Sequence, residues 1–165
     1  MKKIFLFLAI AGMTVFQGCE GPQGEPGNNF EAEVFEVEAD FTVANDWYLT
    51  YALDPVMLPE DNLLIYELVN TNDNIDTWAL LPQVYYLNGG EFQYNFNYSY
   101  DQFSIFIDTN LDFATLPNDR TQDKIFRIVI VPGYFAKNGT KVNHSNYNEV
   151  IEFYNIDDSK VKRLN

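Results

Sequence analysis

The amino-acid sequence predicts a mainly β fold, an antiparallel β-sandwich that carries one short C-terminal helix. About eight short segments of strand character lie between turn residues at regular spacing, which is typical of a sandwich. Residues 125–131 are apolar apart from Arg127, so they are predicted to form a central strand that is covered on both faces. Helical periodicity is confined to the end of the chain.

Alternation and turn residues predict the first three strands. Residues 34–43 alternate between an apolar face and a mostly acidic face, which is the pattern of a half-buried strand. An Asn-Asp turn leads to a second strand over residues 47–53, and two prolines precede a third over residues 63–69. Residues 70–76 are predicted to be a polar loop, because Ile75 is their only core residue.

Two paired strands are predicted in the middle of the chain. Residues 78–81 begin a strand that is interrupted by Pro82, which indicates an edge or a bulge. Residues 84–87 continue that strand to an Asn-Gly-Gly hairpin turn. The partner covers residues 92–100, where aromatic and polar residues alternate, and another strand follows over residues 103–107.

The helical segments come late in the chain. Residues 110–116 are expected to form one helical turn. Ser145 is the expected N-cap of the C-terminal helix and Asn155 the residue that closes it, while a strand over residues 150–154 is the alternative. The apolar stripe that predicts this helix consists of Tyr147, Val150, Ile151 and Tyr154. Short strands with a single late helix favour an immunoglobulin-like sandwich.

The charge distribution is strongly asymmetric. Between Glu20 and Asp119 there is no Lys, Arg or His, but there are 19 Asp and Glu. From Arg120 onward, 8 Lys and Arg accompany 5 Asp and Glu. Such a surface repels nucleic acid and anionic lipid headgroups, so we expect neither as a partner.

The first residues have the pattern of a secretory signal. Two lysines precede an apolar run over residues 4–16, which is too short to span a membrane, so residues 1–18 are predicted to be a lipoprotein signal peptide. The tripeptide Phe-Gln-Gly at residues 16–18, directly before the cysteine, resembles a relaxed bacterial lipobox, and the resemblance implies that Cys19 is acylated, with palmitate as a typical chain. Cys19 is the only cysteine, so no disulfide competes for it. An ordinary cleavage site beside an incidental cysteine is the alternative.

A Gly- and Pro-rich segment separates this cysteine from the domain. Residues 19–29 include Gly-Pro-Gln-Gly-Glu-Pro-Gly, a collagen-like repeat that is too short for a triple helix. We expect a semi-extended tether that holds the domain, residues 30–165, roughly 30 Å from the membrane.

The chain resembles an uncharacterised lipoprotein family of the Bacteroidota. The resemblance rests on the segment Gly-Cys-Glu-Gly-Pro-Gln-Gly at residues 18–24, which is followed by a Val-Phe-Glu-Val-Glu strand. Similar stretches recur at residues 78–83 and 126–132. The resemblance implies a lipid-anchored location in the cell envelope, at the outer membrane, and it implies no catalytic residue.

Residues with catalytic or zinc-binding chemistry are scarce. His144 is the only histidine, and its polar neighbours predict a solvated loop residue, not a member of a Ser-His-Asp triad or a zinc ligand. No Gly-rich nucleotide fingerprint is present, so no cofactor is expected. Two of the many carboxylates could act as the acid and base of a glycosidase, although solvation explains most of them.

One segment has the beginning of a calcium-loop pattern. Asp108, Asn110 and Asp112 are spaced as in such a loop, and Asp119 occupies the twelfth position. Phe113 replaces the turn glycine, and Asp119 is shorter than the usual bidentate Glu. We therefore favour a polar connection and expect no metal site.

An uncharged polar face is predicted on the strand over residues 92–100. Its residues are Gln93, Asn95, Asn97 and Ser99, and aromatic residues lie between them. Amides and aromatic rings often bind sugars, so a glycan-binding face is one interpretation, and simple solvation is the other.

These observations favour a membrane-anchored envelope lipoprotein that is not an enzyme. Its domain would be an interaction module for an envelope protein or a glycan, with Cys19 as the lipidated residue. A small carboxylate-dependent hydrolase and a purely structural outer-membrane component are the alternatives.

Overall fold

The computed structural model describes residues 32–133, 141–159 and 161–164. In chain order the strands are β1 (Glu33–Ala39), β2 (Tyr48–Ala52), β3 (Asn62–Asn72), β4 (Ile75–Leu80), β5 (Gln83–Leu87), β6 (Gly90–Tyr98), β7 (Gln102–Thr109), β8 (Lys124–Val131) and β9 (Lys162–Leu164). The helices are α1 (Asn118–Thr121) and α2 (Tyr147–Tyr154), and short 3-10 turns cover Val43–Asn45 and Phe113–Thr115.

Two sheets form a β-sandwich, which confirms the predicted fold class. Sheet A has the strand order β4-β3-β8-β1-β9, and sheet B has the order β2-β7-β6-β5. Neighbouring strands are antiparallel except for β1 and β9, which are parallel. The first two strands lie in different sheets, whereas in an immunoglobulin constant domain they are neighbours in one sheet.

The main core lies between the sheets. Alternate residues of β1, β3, β6, β7 and β8 point inward, as the period of two requires. The core residues include Phe35, Val37, Ile65, Phe92, Tyr94, Phe103, Ile105, Phe126 and Ile128, which are buried. The predicted central strand is confirmed, because β8 lies between β3 and β1 in sheet A.

The first strand is shorter than the sequence predicts. β1 ends at Ala39, and the chain then forms the 3-10 turn over Val43–Asn45. The Asp40 side chain accepts a hydrogen bond from the Asp123 backbone, 2.8 Å, so this residue serves a loop contact and not the ladder. Phe41 remains fully buried, which explains why its apolar character extended the predicted strand.

The predicted polar loop at residues 70–76 is wrong, because these residues form a hairpin. β3 continues to Asn72, pairs with β4, and turns at Asp73 and Asn74. Both turn residues have positive φ, 51° and 63°, as a two-residue type I′ turn requires. Asp and Asn tolerate this conformation. The residues of the hairpin are exposed, so it has no apolar face that a sequence pattern could reveal.

Pro82 marks the point where the chain changes sheets. β4 is the edge of sheet A and β5 is the edge of sheet B, so the edge prediction is confirmed. The prediction that residues 84–87 continue the strand before Pro82 is wrong, since the two segments lie in different sheets. Leu81 is buried and its backbone N–H donates to the Ile65 carbonyl, 2.8 Å, which holds the crossing against the core.

The predicted C-terminal helix is confirmed as α2, and it packs on the outer face of sheet A. Tyr147 and Val150 are buried against Tyr66 and Val129 in a second apolar cluster. Helix formation excludes the alternative strand over residues 150–154. The outer face of sheet A is thereby partly covered, and β8 is buried on both faces as predicted.

The caps of α2 agree with the sequence at one end only. Asn155 has left-handed φ and ψ of 53° and 47°, so it closes the helix as predicted. Ser145 is not the N-cap, because the Asn146 side chain accepts from the Glu149 backbone, 3.3 Å. Asn is as good an N-cap as Ser, so the one-residue difference follows from where the chain turns into the helix.

Arg127 contacts aromatic and acidic residues on the covered face of sheet A. Its guanidinium lies 4.3 Å from the centre of the Trp78 ring, and Nη1 donates to the Tyr147 hydroxyl at 2.8 Å. It also pairs with Glu36, 3.4 Å, and with Asp158, 3.2 Å. The guanidinium in the apolar part of β8 is therefore paired with two carboxylates, in agreement with the rule that buried charges are paired.

Several predicted features lie outside the described residues. They are the signal peptide, Cys19 and the tether. Among the described residues, no helix is both long enough and apolar enough to cross a membrane.

Candidate glycan-binding face

The outer face of sheet B carries the predicted amides. Gln93, Asn95 and Asn97 alternate along β6 with residues that point into the core. Across the sheet, Asn95 lies opposite Phe106, and Phe106 lies opposite Tyr48. We call these five residues the amide face.

The core fixes the orientation of these amides. Phe92 and Tyr94 are fully buried, and their rings contact each other edge to face at 5.4 Å. Because successive strand residues point to opposite sides, Gln93 and Asn95 must point outward. A slip of one residue would bury the amides and expose the rings, so the core strongly specifies the register.

Two aromatic rings form the apolar part of the amide face. The rings of Tyr48 and Phe106 lie 5.1 Å apart and are nearly parallel, with an interplanar angle of 14°. The Asn97 side chain exchanges hydrogen bonds with the Tyr48 hydroxyl at 3.1 and 3.3 Å. These contacts hold three side chains in one arrangement, which lowers the entropy lost when a ligand binds.

Other polar groups of the amide face remain free to bind. The Asn95 oxygen accepts from the Phe96 backbone, 2.9 Å, which leaves its NH₂ group unused by that bond. Within the described ranges, the Gln93 side chain makes no hydrogen bond. The amide face therefore offers both donors and acceptors to a hydroxyl-rich ligand.

A shallow depression of about 250 Å³ lies next to Gln93. Its walls include Val84, Glu91, Asp108 and Asn110. Asn110 accepts from the Glu91 backbone at 2.8 Å, which fixes the turn at the start of β6. The depression has the size of a site for one small polar ring, slightly below the roughly 300 Å³ at which drug-sized pockets begin.

The amide face carries no positive charge. None of the four strands of sheet B contains Lys, Arg or His, whereas Glu91 and Asp108 are exposed at the depression. Arg120 lies over the Tyr85 ring on the inner side, 4.6 Å from its centre. An anionic ligand would meet only like charge here, so this surface is suited to neutral ligands.

Ser99 does not belong to the amide face. β6 ends at Tyr98, and the Ser99 hydroxyl donates to Asp101 at 2.7 Å within the turn to β7. Tyr48 and Phe106, by contrast, belong to the face although the sequence did not point to them. The sequence showed the alternation within each strand, but it did not show that Tyr48 lies beside Asn97, 49 positions away.

The calcium-loop residues have separate local roles. Asp112 accepts from the Ala114 backbone, 3.0 Å, and caps the 3-10 turn. Asn110 bonds to Glu91, and Asp119 pairs with Arg120 at 3.7 Å. In the part of the chain that the structure describes, no three His, Cys, Asp or Glu side chains are grouped to hold a metal ion.

His144 is a solvated loop residue, as predicted. Its side chain is exposed, and only its backbone carbonyl takes part in packing, by accepting from the Tyr66 hydroxyl at 2.7 Å. His144, in the loop before α2, thus contacts sheet A through its backbone carbonyl.

Comparison with protein-family models, with curated proteins and with solved structures gives no match for this chain.

Proposed function

We propose that this chain is a lipid-anchored envelope protein that binds a neutral glycan on the amide face and does not catalyse a reaction. One observation carries the proposal. The outer face of sheet A is partly covered by α2. The outer face of sheet B instead presents amide side chains and stacked aromatic rings. Aromatic rings stack on the C–H faces of sugars, and amides bind their hydroxyl groups.

The site would face away from the anchor. The described chain enters β1 at Glu33, and β1 ends at Ala39. Asn45 links this end to the start of β2, because its side chain donates to the Asp40 carbonyl at 2.7 Å and accepts from the Trp47 N–H at 3.1 Å. The Trp47 carbonyl accepts from Ile107 at 3.1 Å, so the start of β2 lies at the end of β7. The depression lies at this end of β7, beside Asp108. It is therefore about 20 Å along the strands from Glu33, where the chain enters the domain from the anchor.

The anchor itself is proposed from the sequence. A basic and apolar segment precedes Cys19, and a Gly- and Pro-rich tether follows it. Acylation of Cys19 with more than one chain would give stable membrane association. The likeness of residues 18–24 to Bacteroidota lipoproteins supports an outer-membrane location, and we propose it as the site of action.

Glycan binding can be tested directly. Detergent-purified protein is applied to an array of neutral, amine-bearing, sulfated and carboxylated oligosaccharides. We expect retention of neutral glycans, and we expect Gln93→Ala and Phe106→Ala to reduce it at least tenfold. Asn62→Ala, an exposed amide on β3, is the matched control and should leave retention unchanged. Retention that survives both amide-face substitutions would refute the proposal.

One observation favours a second candidate, a carboxylate-dependent hydrolase. Glu91 and Asp108 both line the depression beside Gln93. Two carboxyl groups across a bound sugar are the usual requirement for glycoside hydrolysis. Release of reducing sugar that is lost in Glu91→Gln and in Asp108→Asn would make this candidate the leading function.

A further inference from the structure

A second groove lies on the opposite outer face of the sandwich. It occupies about 360 Å³ between the edge strand β4 and the start of α2. Its walls are Ile75, Asp76, Thr77, Trp78, Ser145, Asn146, Tyr147 and Asn148. We propose that this groove, which we call the Trp78 groove, is a second saccharide-binding site, with the Trp78 ring as its stacking surface.

The Trp78 ring is held in place before any ligand binds. Arg127 lies over the ring at 4.3 Å, and the Tyr147 ring packs against it at 5.5 Å with a tilt of 40°. Arg127 is fixed in turn by Glu36 and Asp158. The part of the ring that lines the groove is therefore held in place, so a ligand that binds there loses less entropy than it would on a mobile side chain.

Polar side chains surround this ring. Asn148 and Ser145 make no side-chain hydrogen bond within the described part of the chain. Asp76 Oδ1 accepts from the Thr71 hydroxyl at 2.8 Å, and the other carboxylate oxygen has no such bond. One aromatic surface with free amide, hydroxyl and carboxylate groups matches a sugar ring, which has an apolar C–H face and a rim of hydroxyls.

Charge and size narrow the ligand class. Arg127 is already neutralised by two carboxylates, and Asp76 is exposed in the groove, so an anionic sugar has no cation to pair with. The volume falls within the range of small-molecule sites, about 300–1,000 Å³, and suits one or two sugar rings. The groove and the amide face lie on the outer faces of different sheets, so one short ligand cannot occupy both.

The test uses the tryptophans as internal reporters. The chain contains two, and Trp47 stacks on Phe113 at 5.1 Å, away from the groove. The full chain is labelled with ¹⁵N, purified in a detergent without a sugar headgroup, and titrated with methyl β-glucoside, methyl α-mannoside and N-acetylglucosamine. We expect the Trp78 indole N–H resonance to shift and saturate with a Kd of about 1 mM for at least one sugar, while that of Trp47 stays in place.

Variants then separate binding from folding. Asn148→Ala and Ser145→Ala should each weaken the Trp78 response by about 3- to 10-fold, because each removes one hydrogen bond. Asn62→Ala is the control that should leave it unchanged. Three results overturn the inference. The Trp78 resonance responds to none of the sugars, it shifts together with that of Trp47, or its response to sugar is unchanged in Asn148→Ala.

Two further outcomes are informative. If the Trp78 resonance responds to an extended peptide and to no sugar, the groove serves strand addition at β4, and the saccharide inference is overturned. The Gln93 side-chain amide reports the amide face in the same titration. If sugar shifts the Trp78 resonance but not the Gln93 resonance, this inference is supported and the proposed function is not. If sugar shifts the Gln93 resonance but not the Trp78 resonance, the proposed function is supported and this inference is overturned.

Discussion

Glu67 and Lys124 form an ion pair inside the sandwich, with 3.1 Å between Lys124 Nζ and Glu67 Oε1. Glu67 is fully buried, and its other oxygen accepts from the Tyr85 hydroxyl at 2.7 Å. Glu67 and Lys124 belong to sheet A and Tyr85 to sheet B. A buried carboxylate thus joins the two sheets, and its charge is compensated only by this lysine among the described residues.

The first prediction concerns this ion pair. Lys124→Met should lower the free energy of unfolding by about 3–5 kcal/mol, because it leaves the buried Glu67 charge without compensation. The double variant Lys124→Met with Glu67→Leu should recover most of the loss. Urea denaturation measures both, with the exposed Lys141→Met as the matched control. A loss below about 1 kcal/mol in Lys124→Met would contradict the prediction.

The second prediction concerns alkaline pH. Burial is the main cause that raises the pKa of Tyr66, Tyr85, Tyr94 and Tyr147 above the ordinary value of 10.0. The folded state therefore keeps these protons to higher pH than the unfolded chain does, and the resulting stability is complete below pH 10 and lost above it. We expect a constant urea midpoint from pH 7 to about 9 and a steep fall above about 10.

Absorbance of tyrosinate at alkaline pH checks the cause. The four hydroxyls should ionise together with unfolding and not before it. Tyr85→Phe should make the fall in midpoint less steep, and Tyr86→Phe, which changes an exposed ring, is its control. Ionisation of all four tyrosines in a protein that stays folded would rule out this account.

The third prediction concerns the C-terminal strand. β9 pairs with β1, and Arg163 lies 3.2 Å from Glu36, so basic residues from the end of the chain meet the acidic strand. Lys162→Glu combined with Arg163→Glu should destabilise the domain by about 1 kcal/mol or more, and Lys141→Glu should cost less. Moderate salt should stabilise the wild type, because it screens repulsion beyond about 10 Å at 0.1 M. Destabilisation by salt would contradict this view.

The fourth prediction concerns calcium. Asp112 caps a 3-10 turn and Asn110 holds the start of β6, so neither is arranged around a common centre. Millimolar calcium and magnesium at equal ionic strength should therefore shift the melting temperature alike. A rise that is specific to calcium and is lost in Asp112→Asn would instead establish a metal site.

The fifth prediction concerns Cys19. Because it is the only thiol and follows the predicted lipobox, Cys19→Ala should move the protein from the membrane fraction to the soluble fraction. Cys19→Ser is a second variant that keeps the size of the side chain and should behave in the same way. Labelling with palmitate should disappear in both, and label that persists would exclude Cys19 as the acylated residue.

The sequence by itself determined the sandwich, most of its strands and the helix α2. Period-two alternation identified β1 and β6, and an i, i+3, i+4, i+7 stripe identified α2. These signals are local, because the spacing of apolar residues within a strand or helix shows which of its sides is buried. The same alternation placed Gln93, Asn95 and Asn97 on one polar face, which the structure retains.

Only the tertiary structure decided which segments meet. The pairing of Tyr48 with Phe106 and the placement of Trp78 beside the start of α2 depend on sheet order, which residue patterns do not encode. The sequence did not predict the hairpin at Asp73, because its exposed strands bury no apolar face and are held by backbone hydrogen bonds and the bond from the Thr71 hydroxyl to Asp76. Glu67 and Lys124 lie 57 positions apart and meet only across neighbouring strands. Long-range pairing is selected by the packing of the whole core, so a single sequence read locally could predict the faces but not their neighbours.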